Sequence, residues 1–373
     1  MTTDPRLIEL ARIAAGLTQG GLARELGKTQ PFISQVERGE RDIPPDLLPR
    51  WASACSVPPS FFRRSHGPLN DAVAGMVHRR MATLPTKPFV FANAQVKMAC
   101  LEVDSLFGEV DVIPALDLPD LPLDVGPADA ADAVRRAWRI ASGPLPNLVN
   151  LIESAGIPVL LLDSFHEKHS GASHRGRWFE WMIALNGNHP PSRRRFTLAH
   201  DLGHIALKHE ASAALDDDAA KLMEAEADAF AASLLLPESD ARRELRNIDF
   251  RRLVTLKQRW KVSIAFLIHQ AYDFELIDST TRQWLYIQLG QQPGGRRREP
   301  AEFESESPSL VRKMIETLQA DGLSVSDIAD LVTADELTFR SRYLGENALR
   351  LMGDRPARVK LELQRPDLTD ADA

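Results

Sequence analysis

A chain of 373 residues has room for two or three domains, and 44% hydrophobic with 26% charged residues is the composition of an ordinary globular protein. No window approaches the roughly 18 apolar residues of a membrane span, and MTTDPRLIEL carries charge where a secretory signal needs an apolar stretch. The two cysteines, Cys55 and Cys100, make neither a metal-binding pair nor a disulfide framework, so a reducing cytoplasm is the expected setting. The net charge of −7 is unevenly spread: residues 1–66 hold nine Lys/Arg against seven Asp/Glu, a balance of +2, which leaves −9 for the remainder. Contact with nucleic acid is therefore expected at the N-terminus.

In chain order, the first 66 residues read as short helices with tight turns. RLIELARIAA presents an apolar face through Leu7, Leu10, Ala11 and Ala14. Thr18 is placed to cap TQGGLARELG, and Thr29 to cap TQPFISQVERG with Pro31 in its first turn. DLLPRWASACSV and PPSFFRR add further helical packing, which makes five helical elements in all. Residues 67–126 read as a helical connector that becomes a proline-rich linker, VIPALDLPDLPLDVGP, expected to be extended rather than packed. From 127 the pattern turns α+β: helices in ADAADAVRRAWRIA and LPNLVNLIESAG, strands in IPVLLLD and WFEWMIALN, then two longer helices, the second over about 218–236. Residues 276–373 read as helical, with QQPGGRRREPAEFESES expected to be a mobile loop and DLTDADA a frayed end. The expected fold class is α+β, mostly helical, with a small sheet in the domain over 127–275.

Two helices joined by a short glycine-containing turn, the second exposing polar residues, make a helix-turn-helix. The first must pack across the second, so Leu22, Ala23, Ile33 and Val36 are expected to be buried. Thr29, Gln30 and Gln35 are candidate base readers, since glutamine can bond adenine N6 and N7 together, and Gln19 suits a phosphate contact. LTQGGLARELGKTQPFISQVERGERDIP closely resembles the Xre/Cro phage-repressor family over about 60 residues, with Pro31 in place of the more usual polar residue. That resemblance implies binding to double-stranded operator DNA, and such modules usually read two half-sites as homodimers.

In FTLAHDLGHIALKH, His200 and His204 stand four apart on one helical face, the spacing of a zinc-protease helix. With ten histidines in the chain, the spacing alone is weak. Downstream, in KLMEAEADAFAASLLLP, Glu224 and Asp228 again share a face, the gluzincin arrangement: Glu224 as third ligand, Asp228 orienting a ligand histidine. The spacing leaves a swap of Glu224 for Glu226 open. Gly203 is expected to clear space beside the metal, and His209 to lie at the surface. The strand, RRRFTLAHDLGH, EAEADAFAASLLLP and LKQRWKVSIAFLIHQA resemble the ImmA/IrrE (M78) metallopeptidase family over roughly 127–275. The resemblance implies a Zn2+-binding gluzincin-like domain. Related proteins cleave a repressor or regulate stress responses, and some act as antitoxin-like regulators beside a toxin, so a protein partner of either kind is expected.

Asp201 departs from the H-E-x-x-H pattern, whose glutamate is the general base. Aspartate has the right chemistry but withdraws its oxygens by roughly 1.5 Å, and a misplacement near 1 Å can cost on the order of 100-fold. The expected function is a DNA-binding regulator with a zinc-holding domain and weakened peptidase activity. The alternative is an active endopeptidase that cleaves a repressor or itself.

Overall fold

A computed structural model describes residues 3–63, 77–80, 86–140, 142–209, 217–295, 298–344 and 359–362. The segment DLTDADA lies outside them.

The first unit is helical throughout: α1 (Pro5–Ala14), α2 (Gln19–Leu26), α3 (Gln30–Glu37), α4 (Leu48–Ala54) and a 3-10 turn over Pro59–Arg63. Asp4, Thr18 and Thr29 cap the first three, each accepting a hydrogen bond from a backbone N–H of its first turn. Gly27 closes α2 in the left-handed region at φ 65°, which lets the chain turn directly into α3. Leu22, Ile33 and Val36 are fully buried and Ala23 nearly so, together with Trp51, Phe61 and Phe62. At about 25 cal/mol per Å² of apolar surface, burying such side chains is the main stabilising term of a unit this small.

The chain continues through β1 (Val77–Arg80), α5 (Thr86–Glu109), β2 (Val110–Ile113), α6 (Pro127–Ala137), α7 (Leu148–Ser154), β3 (Val159–Leu162), β4 (His169–His174) and β5 (Met182–Asn186). There follow α8 (Pro191–Ala206), α9 (Asp217–Leu235), α10 (Glu238–Glu244), α11 (Phe250–Trp260), α12 (Ile264–Asp273) and α13 (Ser279–Gly290). The last elements are α14 (Leu310–Ala320), α15 (Val325–Leu331), α16 (Glu336–Phe339) with a π-turn to Leu344, and β6 (Val359–Glu362).

A four-stranded sheet in the order β1-β4-β5-β3 forms the centre; β3 and β5 are parallel, and β4 runs antiparallel to both of its neighbours. The period-2 alternation gives the sheet two apolar faces. Val159, Ile183 and Leu185 face the core built by α6–α13. Leu160, Leu162, Ala172, Met182 and Ala184 face a second core made with α5 and α14–α16. The C-terminal helices are thus the back layer of this sheet. The helix α5 also turns Ala94 and Met98 into the core of the N-terminal unit, and Gln95 donates to the Ala14 carbonyl.

Several expectations are corrected. The strand expected over 178–186 begins only at Met182, with Trp178 exposed before it. The strand β4, HSGASH, is too polar to announce itself by hydrophobic alternation, and β6 adds a strand, parallel to β2, to a region read as helical. The proline-rich linker packs: Leu116 and Leu121 are buried in the main core.

The acidic stretch read as mobile is an ordered strap over 298–309. Three of its glutamates sit at helix N-termini, where unpaired N–H groups and the helix dipole favour a carboxylate. Glu299 accepts from the Ile264 and Ala265 N–H groups of α12 at 2.6 and 3.0 Å. Glu302 accepts from Ser192 N–H on α8, and Glu306 from Leu148 and Val149 N–H on α7. Buried Lys257 donates to Glu299 and Glu302, and buried Arg195 to Glu306. Composition pointed to disorder, but the counter-charges lie far away in sequence.

Candidate metal centre and nucleic-acid interface

The helix α8 starts at consecutive prolines and runs from the sheet into the main core, so that His200 is fully buried and His204 is 3% exposed. Antiparallel packing of α9 on α8 brings up a third donor. Glu224 Oε2 lies 3.5 Å from His200 Nε2, and its Oε1 3.5 Å from His204 Nε2. The two Nε2 atoms are 3.1 Å apart. Ligand atoms held 2.0–2.2 Å from a tetrahedral ion are separated by roughly 3.3–3.6 Å, so the two spacings to Glu224 match a shared ion and the imidazole pair is slightly closer. Glu224, His200 and His204 form the metal-capable cluster found among the described residues.

Hydrogen bonding shows why a cation fits there. His200 Nδ1 lies 2.7 Å from Asp228 Oδ1, so Nδ1 carries the proton and Nε2 turns its lone pair toward His204 and Glu224. Burial pushes the His204 imidazole below its usual pKa, which keeps it neutral. Burial alone would raise the Glu224 carboxyl, but the neighbouring His200 and His204 imidazoles outweigh it and hold the group well below the usual carboxylate range. Neutral imidazole nitrogens and an anionic carboxylate converging on one point are the donor set of a divalent ion.

Glu226, left open as an alternative ligand, points away to His209, with Oε2 3.0 Å from Nε2. His209 is not a surface residue: it is 7% exposed, with Nδ1 3.1 Å from His204 Nδ1. It lies three residues beyond the end of α8, so helical spacing from His200 and His204 does not predict its place. Gly203 answers a different need from the one expected. A Cβ there would lie 2.9 Å from Phe230 Cδ1 and 3.2 Å from the Ala227 carbonyl, so glycine lets α8 and α9 approach closely enough to share the site.

Asp201 points to β4 and is fully buried. Its Oδ2 would be only 2.9 Å from a Cβ at Gly171, so the carboxylate occupies the space that this glycine leaves. Beside the cluster, with Asp228 on its wall, a cavity of about 1270 Å³ opens between α8, α12 and α13, lined by Phe196, Phe266, Tyr286, Arg193 and Arg298.

In the N-terminal unit, Thr29, Gln30 and Gln35 are exposed and Gln19 is half-buried. Thr29 caps α3, accepting from Phe32 N–H at 3.4 Å. Gln30 donates to Gln19 Oε1 at 3.0 Å, and Gln19 donates to Glu37 Oε2 at 2.8 Å. Glu37 is itself paired with Arg12 of α1. The start of α2 is thereby tied to the start of α3, and Gln35 stands apart from that network, five residues further along α3.

The helix-turn-helix family (HTH_3) matches residues 8–62, and the Peptidase_M78 family, described as an IrrE N-terminal-like domain, matches residues 152–272. The chain joins a helix-turn-helix domain to an IrrE-like domain. The matched range of the IrrE-like domain contains the helix pair α8–α9 with His200, His204 and Glu224. No curated protein matches the chain. Among solved structures, a Mycobacterium tuberculosis transcriptional regulator is similar, at 16% identity and a TM-score of 0.29, over 53% of this chain. The chain spans about half of that structure, 54% of its length. Among the described residues, no helix is long and apolar enough to cross a membrane.

Proposed function

We propose that this protein is a sequence-specific DNA-binding transcriptional regulator whose IrrE-like domain holds a zinc ion through His200, His204 and Glu224. The observation that carries the metal reading is the convergence of two imidazole lone pairs and a carboxylate at 3.1–3.5 Å. A zinc ion there would act as a Lewis acid and could bring water toward nucleophilicity. Asp228 orients His200. Asp201, at the general-base position, is short and enclosed against Gly171, which favours metal holding over rapid peptide hydrolysis.

On DNA, α3 enters the major groove as a recognition helix, with Gln30 and Gln35 reaching base edges, Thr29 at its start and Gln19 toward phosphate. A homodimer would present two such helices to a palindromic operator.

The test has two arms on the full-length protein. Metal analysis is expected to find about one zinc per chain, and His200→Ala to lose it; a metal-free wild type sinks the zinc site. In fluorescence anisotropy, Gln30→Ala should weaken operator binding by about 1–3 kcal/mol while leaving random DNA nearly unchanged. Equal losses on both DNAs would remove Gln30 as a base reader.

The second reading, an active zinc endopeptidase acting on a repressor or on itself, is favoured by the cavity beside Asp228, which has the volume for a peptide segment. Turnover by the wild type that disappears in Asp201→Ala would establish it.

A further inference from the structure

We infer that His209 and Glu226 form a proton-fixing relay that sets the tautomer of His204 and so tunes how tightly the centre holds its ion. The inference rests on the reading of His200, His204 and Glu224 as metal ligands.

The argument begins at Glu226. Its carboxylate can only accept a hydrogen bond, and Oε2 lies 3.0 Å from His209 Nε2. The proton of neutral His209 must therefore be on Nε2, since a lone pair there would face the carboxylate oxygen. That choice leaves His209 Nδ1 as an acceptor. Its neighbour at 3.1 Å is His204 Nδ1, which must then be the N–H donor. A neutral imidazole has one N–H, so His204 Nε2 is left with its lone pair directed at Glu224 and His200. Starting from the opposite tautomer of His204 would require Nδ1–H on His209 and place two acceptors against each other at Glu226.

The site is thus supported on both sides by carboxylates, at different removes. Asp228 meets His200 directly at 2.7 Å, whereas Glu226 acts on His204 through an intervening imidazole. His209 is 7% exposed and ring-packed against His204 at 5.1 Å between centroids, so the relay also fixes the His204 ring plane. Such outer partners raise ligand basicity and pre-orient the ring; their loss usually weakens metal binding by 10- to 100-fold. His209 and Glu226 are positioning residues: neither belongs to the donor cluster of His200, His204 and Glu224.

The experiment measures zinc affinity of the full chain by competition with a chromophoric chelator, the visible spectrum of the cobalt-substituted protein, and the melting of the metal-free protein. His209→Leu should bind zinc about 10- to 100-fold more weakly and alter the cobalt spectrum, with metal-free melting close to wild type. His209→Asn, whose amide oxygen can sit near the former Nδ1, should recover affinity to within a few-fold. Glu226→Ala should show an intermediate loss. Wild-type zinc affinity in His209→Leu overturns the relay, as does an equal loss in His209→Leu and His209→Asn together with lowered metal-free melting. His200→Ala separates the two readings. If it retains zinc, the ligand set is wrong; if it loses zinc while His209→Leu does not, only the relay fails.

Discussion

Replacing Lys257 with alanine is expected to destabilise the folded chain by about 3–5 kcal/mol, measured as the shift in a chemical denaturation curve. The ammonium group has no exposure and lies 3.2 Å from Glu299 and 3.0 Å from Glu302. Glu299 is 6% exposed and also caps α12, so it cannot leave for solvent without uncovering the N–H groups of Ile264 and Ala265. Removing the lysine strands the Glu299 carboxylate in the interior and leaves the more exposed Glu302 without its cation, and the desolvation of charge without its partner dominates the loss. The intrinsic worth of the pair is a separate quantity. Replacing all three residues by neutral ones of similar size (Lys257→Met with Glu299→Gln and Glu302→Gln) should recover most of the stability, because no uncompensated charge remains. A loss below about 1 kcal/mol for the single variant would place this cluster with ordinary surface ion pairs.

The effect should reach the candidate metal centre. Glu302 also accepts from Ser192 at the start of α8, and eight residues further along that helix stands His200. The strap joins α7, α8 and α12 by glutamates that no local pattern announced. Hydrophobic periodicity and turn chemistry are local signals, and they sufficed for α1–α4, for the helix bearing His200 and His204, and for the extent of α9. The pairing of Glu299 with Lys257, 42 positions away, depends on where the helices come to rest. The same limit explains β4, whose polar HSGASH is a central strand only because β1 and β5 flank it. Within the site, the set His200, His204, Glu224 and Asp228 could be read from i, i+4 spacing on two helices. His209 and the packing role of Gly203 could not, because both depend on the closeness of α8 to α9.

Gly203→Ala probes that closeness and is expected to affect both stability and metal binding. The added methyl would meet Phe230 Cδ1 at 2.9 Å, Phe230 Cβ at 3.2 Å and the Ala227 carbonyl at 3.2 Å. Phe230 is fully buried between core neighbours and cannot swing aside, and the carbonyl belongs to the α9 backbone. The helices must therefore separate by a few tenths of an ångström or more, at a cost of about 1–3 kcal/mol for overpacking. Glu224 rides on α9 and both histidines on α8, so the separation stretches the two 3.5 Å spacings that define the centre. Zinc affinity should fall by about 10-fold or more, since metal sites tolerate ligand displacements of only about 0.2 Å. Phe230→Leu removes the ring atom responsible for the shortest contact. The double variant should thus lose less stability than the sum of the single changes, a coupling of about 0.5–1 kcal/mol or more in a double-mutant cycle. Additive losses, with zinc affinity unchanged in Gly203→Ala, would show that α9 can yield without moving Glu224. The distance between these helices would then not be what sets the donor geometry.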